Sequence, residues 1–251
     1  MDKPKPQVFY EIHKDIPREG PGDNESTRQA FSMLSELSDS PHILEIGCGP
    51  GMQTIELAQM TNGLITALDN QKRFLDELEK RAKVAHVEEK IKTVEGSMFA
   101  LPFSEKSFDL IWAEGAIYII GFREGLIYWK SFLKENGYIA VTHISWLKDN
   151  IPDEPKKFWA EGYPAIATVE KNLEIVEQCG YKNIGHFALP ASAWWNDYYT
   201  PLEARLKMLR EKYKDDKESL DRINQTQREI DLYKNYSDYY GYVFYLMQKA
   251  S

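Results

Sequence analysis

Short apolar runs alternate with amphipathic stretches along this chain, and the alternation predicts strands that alternate with helices. The runs have the length of strands, and turn residues bound them. Because near-continuous apolar strands are buried on both faces, they are typical of the interior of an α/β domain. The predicted strands are residues 42–46, 64–69, 91–98, 108–115 and 138–143.

Helical periodicity fills the segments around these strands. A helix is predicted over about 25–37, another from Pro50–Gly51, and a third after Asp69. In residues 122–135 the apolar side chains fall on one helix face, and the following Asn136-Gly137 is typical of a helix stop.

The C-terminal part departs from this alternation. Residues 147–167 form a polar and aromatic insert, followed by a helix to Gln178 and a strand over 181–189. Residues 201–235 predict one or two long amphipathic helices, which we expect to be solvated. Residues 239–248 predict a last strand.

The first strand runs directly into a loop in which three glycines alternate with other residues. Glu45 stands two positions before the first of Gly47, Gly49 and Gly51. Glycine lets the backbone turn sharply and approach a ligand without a Cβ in the way. A dinucleotide fingerprint needs its third glycine three positions after the second, where this chain has Met52. A nicotinamide or flavin site is therefore disfavoured.

Asp69 ends the second strand, roughly 20 residues past the glycines, where a ribose-binding acid belongs in a strand–helix–strand unit. With the glycine loop and the five strands, it makes residues 40–190 resemble the class I S-adenosylmethionine-dependent methyltransferases. The segment Arg18-Glu19-Gly20-Pro21-Gly22 is similar to one in small-molecule methyltransferases of the ubiquinone- and menaquinone-biosynthesis type.

The resemblance implies a Rossmann-like, doubly wound α/β sheet of seven strands, with an antiparallel last strand inserted beside the fifth. It also implies an N-terminal helical lid and a C-terminal helical addition. We expect one methyltransferase domain over residues 1–251. Its parts are the lid and first helix at 1–37, the cofactor-binding core at 40–190, the helical addition at 191–238 and the last strand at 239–248.

The resemblance further implies S-adenosyl-L-methionine as the cofactor. The glycine loop passes under its methionine and ribose parts, Glu45 orients the loop or bonds the amine, and Asp69 binds the ribose. Ser97 and Met98 match the position that holds the adenine, where many relatives carry an aspartate instead of Ser97. The residues expected to bind the cofactor are Arg18, Gly22, Glu45, Gly47, Cys48, Gly49, Gly51, Asp69, Asn70, Ser97, Met98 and Glu114.

Methyl transfer requires the acceptor atom, the methyl group and the sulfur to be aligned. A general base contributes only where the acceptor has to lose a proton early. His143, at the carboxyl end of the fifth strand, and Tyr118 are the candidate catalytic residues. Glu114 is an alternative acidic base.

Charge and cysteine content narrow the choice of partners. The net charge is −8, whereas nucleic-acid binders usually present a basic surface to phosphates. We therefore expect no nucleic-acid partner and no membrane partner. Cys48 and Cys179 predict neither a disulfide nor a metal pair, and the N-terminus lacks the apolar region of a signal peptide. These features predict a cytoplasmic protein without a metal site.

The aromatic residues indicate what kind of methyl acceptor the chain binds. The sequence has 15 tyrosines and 6 tryptophans, and many follow the fifth strand. Aromatic faces attract cations and pack against flat rings, so we expect Trp146, Trp194 or Trp195, with Tyr118, to line a pocket for a small-molecule acceptor. An RNA or protein methyltransferase and a non-catalytic S-adenosylmethionine-binding regulator are the alternatives. The sequence leaves the acceptor atom and a homodimer open.

Overall fold

The structure, a computed structural model, describes residues 7–14 and 16–250. The N-terminal hexapeptide, on which the prediction of no signal peptide rests, and Asp15 of the predicted lid lie outside these residues. The α-helices are α1 (Gln7–Ile12), α2 (Asn24–Ser32), α3 (Met52–Met60), α4 (Lys72–Val84), α5 (Phe122–Trp129), α6 (Asp153–Gly162), α7 (Val169–Gln178), α8 (Ala191–Trp194), α9 (Thr200–Lys212) and α10 (Lys217–Tyr236). The strands are β1 (His42–Ile46), β2 (Leu64–Asp69), β3 (Ile91–Glu95), β4 (Phe108–Ala113), β5 (Leu133–Trp146), β6 (Ala167–Thr168), β7 (Tyr181–Ala188) and β8 (Tyr240–Lys249).

These strands form one sheet in the order β3-β2-β1-β4-β5-β8-β7, with the two-residue β6 beside β5. Strands β1 to β5 pair in parallel, and β8 lies antiparallel between β5 and β7. The predicted Rossmann-like, doubly wound sheet with an inserted antiparallel last strand is thus confirmed. The strand order reverses between β1 and β4, and ligands of open α/β sheets bind at the carboxyl ends of the strands beside such a reversal.

Two cores cover the faces of the sheet because side chains of successive strand residues point to opposite sides. Leu44 of β1 belongs to the core on the side of α5 and α7, whereas its neighbour Ile43 belongs to the core on the side of α2 and α3. The loops at the carboxyl ends of β1, β2 and β4 are therefore anchored by strands that are buried on both faces. Within the described ranges, no helix is long and apolar enough to cross a bilayer.

A third core lies beside the ends of β5 and β8 and covers the apolar face of the amphipathic helix pair predicted at 201–235. Helices α9 and α10 bury Leu206 and Ile223 against Val8 and Ile12 of α1. Only the opposite faces of the two helices are solvated. Burying a leucine or isoleucine side chain contributes about 1.5–3 kcal/mol, so this core fixes the N-terminal helix to the C-terminal helical addition.

The predicted helix over 122–135 is wrong at its C-terminal end. The α-helix ends at Trp129, a 3₁₀ turn follows over Lys130–Phe132, and β5 already begins at Leu133. The buried side chain of Leu133 pairs with Phe108 in the sheet. The Asn136-Gly137 signal belongs instead to an irregularity inside β5, where Asn136 has a φ of 59°. Burial of the start of the strand overrides the helical periodicity.

Candidate active site

The glycine loop wraps the carboxyl ends of β1 and β2. The amides of Gly47 and Cys48 both donate hydrogen bonds to the carbonyl of Leu68, over 2.8 and 3.1 Å. Gly47 has a φ of 75°, and a Cβ there would lie 2.7 Å from the Cβ of Ala116. Gly51 has a φ of 87°, and a Cβ there would collide with the side chain of Leu78. Both positions therefore require glycine.

Asp69 joins this loop to the end of β2. Its Oδ2 accepts a hydrogen bond from the Gly49 amide at 3.0 Å, and its Oδ1 accepts one from the Gln71 amide at 2.8 Å. Burial raises the pKa of the carboxyl group, and the two backbone donors oppose that shift. Because each carboxylate oxygen has further lone pairs, Asp69 retains acceptor capacity beyond its two backbone bonds.

A cavity of about 1130 Å³ opens at this edge of the sheet. It is lined by loop residues after β1, β2, β3 and β4, by the segment after α1, and by α10. The residues predicted from the sequence that line it are Arg18, Gly47, Cys48, Gly49, Asp69, Asn70, Ser97, Met98, Glu114 and Tyr118. Residues 50 or more positions apart in the chain thus surround one space.

Arg18 and Glu114 form a buried ion pair at the wall of this cavity. Arg18 Nη1 lies 2.8 Å from Glu114 Oε2, and the two side chains are 4% and 3% exposed. The other oxygen, Oε1, accepts hydrogen bonds from Thr27 Oγ1 at 2.8 Å and Trp112 Nε1 at 2.9 Å. This bonding fixes the carboxylate at the end of β4 and ties it to the segment that follows α1.

Gly22 makes room for the pair without lining the cavity. A Cβ on it would lie 3.0 Å from Arg18 Nη1 and 3.2 Å from Glu114 Oε2. Its amide donates to the carbonyl of Ala193 at 2.9 Å. Gly22 and Gly51 are therefore placed beside the lining residues rather than among them, and their assignment to the cofactor stays a prediction.

Glu45 lies behind the cavity wall instead of on it. The residue is 0% exposed, and neither carboxyl oxygen has a hydrogen-bond partner among the described residues. Burial raises the pKa of this carboxyl group from 4.5 to about 8. A group in that position is a neutral acid at pH 7, so the structure does not place it for direct contact with a ligand.

His143, the first predicted catalytic residue, also lies outside the cavity lining and is 1% exposed. On β5 it shares the face of Val141, and its ring stacks on Phe122 of α5 with a centroid separation of 4.5 Å. Burial lowers the pKa of the imidazole to about 3. The ring therefore lies in the core, and His143 is not a base in the proposed chemistry.

The tryptophans expected to line an acceptor pocket pack elsewhere. Trp146, Trp194 and Trp195 are absent from the lining of the cavity and belong to the third core. The ring of Trp194 stacks on Tyr233 with centroids 4.1 Å apart. The expectation for these three residues is therefore wrong, because α9 and α10 need a large apolar surface to pack on the rest of the chain. Tyr118 does line the cavity.

Sequence reasoning missed several residues of the cavity wall. Arg73 of α4 and Arg222 and Glu229 of α10 all line it. The guanidinium groups of Arg73 and Arg222 lie over aromatic rings of α1, those of Tyr10 and Phe9, at 4.6 and 5.3 Å from the centroids. The only signal for Glu229 was its position one turn before Tyr233, a residue on the buried face of α10.

Comparison with known proteins finds similarity to methyltransferases in the core of the chain. Residues 43–137 match the family described as a methyltransferase domain. The chain is 25% identical to phosphoethanolamine N-methyltransferase of Plasmodium falciparum over 76% of this chain and 70% of that protein. It is also 25% identical to sterol 24-C-methyltransferase erg-4 of Neurospora crassa, over 66% of this chain but only 46% of that protein. The chain thus spans about half the length of several curated relatives.

The fold has a close counterpart among solved structures. A methyltransferase from Thiobacillus denitrificans in complex with S-adenosyl-L-homocysteine superposes with a TM-score of 0.82, covering 98% of this chain and 99% of that chain. The two sequences are 18% identical, so the similarity establishes the fold. Together with the family match, it confirms the resemblance that the glycine loop, Asp69 and the strand order predicted.

Proposed function

We propose that this chain, whose residues 43–137 match the methyltransferase-domain family, transfers a methyl group from S-adenosylmethionine to a small-molecule acceptor. One observation carries the proposal: a carboxylate at the end of β2 and a left-handed glycine loop after β1 border one cavity. The cofactor supplies an electrophilic methyl group on a sulfonium. The chain has to bind it and orient an acceptor beside it.

The wall of the cavity fits such a ligand. A Cβ built on Gly49 would meet only the Glu19 side chain, at 3.8 Å, so the loop leaves open space where the backbone faces the cavity. We assign Asp69 to the ribose hydroxyls and Ser97 with Met98 to the adenine. Arg18, which bonds Glu114 through Nη1 and Asn24 through Nη2, holds the methionine end.

The extent of the cavity supports an enzyme over a non-catalytic regulator. The space continues past Glu114 to Tyr118, Phe158 and Glu229, so the cofactor half does not fill the lining. A net charge of −8 supports a small molecule over RNA. The free thiols of Cys48 and Cys179 support the proposed cytoplasmic location.

Asp69→Ala should weaken binding of S-adenosylhomocysteine about 10- to 100-fold, since a hydrogen bond to a charged group contributes roughly 1.5–3 kcal/mol. Asp69→Asn removes the negative charge but keeps one oxygen that can accept the hydrogen bond from the Gly49 amide. Comparing the two variants therefore distinguishes a lost contact with the ligand from a loosened glycine loop. Isothermal titration calorimetry measures both affinities.

Asp76→Ala is the matched control for this experiment. Asp76 lies on the neighbouring helix α4 with a side chain 48% exposed, and it pairs with Lys72. Removing it changes the net charge by the same amount and should leave the affinity within about twofold, because surface ion pairs contribute about 0–1 kcal/mol. An Asp69→Ala protein that binds as tightly as Asp76→Ala contradicts the assignment.

Residues 8–22 should act as a lid that becomes more rigid when ligand fills the cavity. Phe9, Tyr10, Arg18 and Glu19 contribute to one wall of the space. We expect amide hydrogen exchange in this segment to slow on addition of S-adenosylhomocysteine, whereas exchange in the central part of β8 stays unchanged. Equal exchange of residues 8–22 in both states would show a static wall.

A further inference from the structure

Glu229 places a carboxylate on the part of the cavity wall that the predicted cofactor residues do not occupy. It projects from α10, is half-buried, and lines the same space as Glu114. Tyr199 Oη donates a hydrogen bond to its Oε1 at 3.1 Å. No described residue forms an ion pair with it, and Arg222, the cation that acts on it electrostatically, lies seven residues earlier on the helix. Seven residues of α-helix span about 10.5 Å.

Besides Tyr199, three tyrosines lie near enough to this carboxylate for its charge to act on them. Tyr118 and Tyr198 line the cavity, and Tyr242 of β8 lies close to both. Burial raises the pKa of each phenol, and the charge of Glu229 raises it further. The phenols are therefore neutral, and Glu229 is the acidic group of the cluster. We refer to Glu229, Tyr118, Tyr198 and Tyr242 as the tyrosine–glutamate cluster.

The cluster lies next to the carboxyl end of β4. A Cβ built on Gly115, the residue after Glu114, would lie 3.6 Å from Tyr242 Cε2 and 3.9 Å from its hydroxyl. Gly115 lines the cavity, and its amide donates to Thr142 Oγ1 at 2.7 Å. The cluster thus adjoins the strand end that separates the two halves of the cavity.

A half-buried carboxylate among neutral rings favours a positively charged ligand. Removing a charge from water is costly unless it is paired, and burial accordingly raises the pKa of Glu229. A cation in this position would form an ion pair with the carboxylate. The face of an aromatic ring also attracts a cation placed over it.

We propose that the methyl acceptor is an amine, bound as an ammonium ion by Glu229 within the tyrosine–glutamate cluster. The inference rests on the proposed function, because it assigns the acceptor half of the same cavity. An ammonium nitrogen has no lone pair. The Glu229 carboxylate accepts one proton from it and becomes a carboxylic acid, which leaves a neutral amine whose nitrogen carries the lone pair that a methyl acceptor needs.

Other acceptor classes fit the cluster less well. A hydroxyl group supplies no positive charge to pair with Glu229, and a carboxylate acceptor would be repelled by it. A carbon acceptor in an apolar ring system would leave the carboxylate without a partner. Among these, the amine alone supplies both a positive charge to pair with Glu229 and a proton that the carboxylate can accept.

The test compares matched pairs of probes in protein saturated with S-adenosylhomocysteine. The probes are amines and the alcohols of the same skeleton, such as phenethylamine with 2-phenylethanol and ethanolamine with ethylene glycol. Calorimetry at pH 7 should show at least one amine binding ten times more tightly than its alcohol. Glu229→Gln should reduce that ratio to below two while changing the affinity for S-adenosylhomocysteine less than twofold.

Glu203→Gln is the matched control, because Glu203 lies on α9, outside the cavity lining, where it accepts a hydrogen bond from Gln227. It should retain the preference for the amine. The inference is overturned if no amine in the panel outcompetes its alcohol or if Glu229→Gln keeps the preference. If S-adenosylhomocysteine does not bind the wild-type protein at all, the proposed function fails first and the amine site fails with it.

Discussion

Replacing Arg18 with methionine should lower the free energy of unfolding by about 3–5 kcal/mol, because it leaves Glu114 as a buried carboxylate without its cation. Both side chains of the pair are less than a twentieth exposed, at 4% and 3%. Arg18 Nη2 also donates to Asn24 Oδ1 at 2.9 Å, so the variant leaves a second group without its donor. Urea unfolding followed by tryptophan fluorescence measures the loss.

Arg28→Met is the matched control for the ion pair. Arg28 Nη1 lies 2.7 Å from Glu56 Oε1, but the arginine side chain is 52% exposed. Such a pair contributes about 0–1 kcal/mol, so this variant should be nearly as stable as the wild type. If Arg18→Met unfolds at the same urea concentration as Arg28→Met, the segment after α1 unfolds separately from the domain and the pair does not stabilise the global fold.

Glu45→Gln should stabilise the ligand-free protein by about 3 kcal/mol at pH 7. Burial raises the pKa of this carboxyl from 4.5 to about 8 in the native protein. Between those values the native state holds a proton that the unfolded chain has released, so stability falls as the pH rises. The cost is about 1.4 kcal/mol for each pH unit above the unfolded pKa. Glutamine has the shape of the neutral acid and avoids this cost.

The pH dependence distinguishes this explanation from a general packing effect. The gain from Glu45→Gln should disappear near pH 4, grow as the pH rises, and level off above about pH 8, where the native carboxyl ionises. Glu36→Gln, at an exposed position, should change stability little at any pH. A Glu45→Gln protein that is destabilised at pH 7, or whose gain is the same at pH 4 and pH 7, would refute the buried neutral acid.

Arg18→Met and Glu45→Gln also test two glutamates to which the sequence analysis gave the same role. Glu45 and Glu114 both precede glycines at the ends of neighbouring strands, and both were predicted to contact the cofactor. The structure gives Glu114 three side-chain donors and a place on the cavity wall. Glu45 has none of these among the described residues, because its side chain is fully buried behind the wall, beside Gln53 and Thr54 of α3.

The positions of the strands along the chain and of the glycine loop could be predicted from the sequence because both are local properties, whereas the order of the strands in the sheet was implied by the family resemblance. An apolar run of five or six residues bounded by turn residues is consistent with a buried strand, and its short length favours a strand over a helix. The step from Gly47 to Asp69 covers a single strand–helix–strand unit, in which geometry fixes the spacing. The loop and Asp69 therefore come together, as the hydrogen bond from Gly49 shows.

Which face a polar side chain occupies was not a local property. His143 was expected at a strand end beside the cavity, but alternation along β5 puts it on the face covered by α5. All nine residues from Gly137 to Ser145 are buried, so no exposed position in this run indicates which face of the sheet His143 occupies. Likewise, the count of tryptophans could not separate a pocket wall from a core, and Trp194 proved to be core.

For Glu229, too, the local sequence does not show which face of the element the side chain occupies. In a helix rich in both acids and bases, one glutamate has the same local pattern whether it faces water or a cavity. Its environment is decided by the packing of α10 against α1 and α9, which brings residues more than 200 positions apart into one core. The sequence by itself determined the strands, the glycine loop and the acid at the end of β2, because neighbouring residues encode them, and the resemblance that these features carry implied the order of the sheet. Only the tertiary structure decided the acceptor half of the cavity, because distant helices build it.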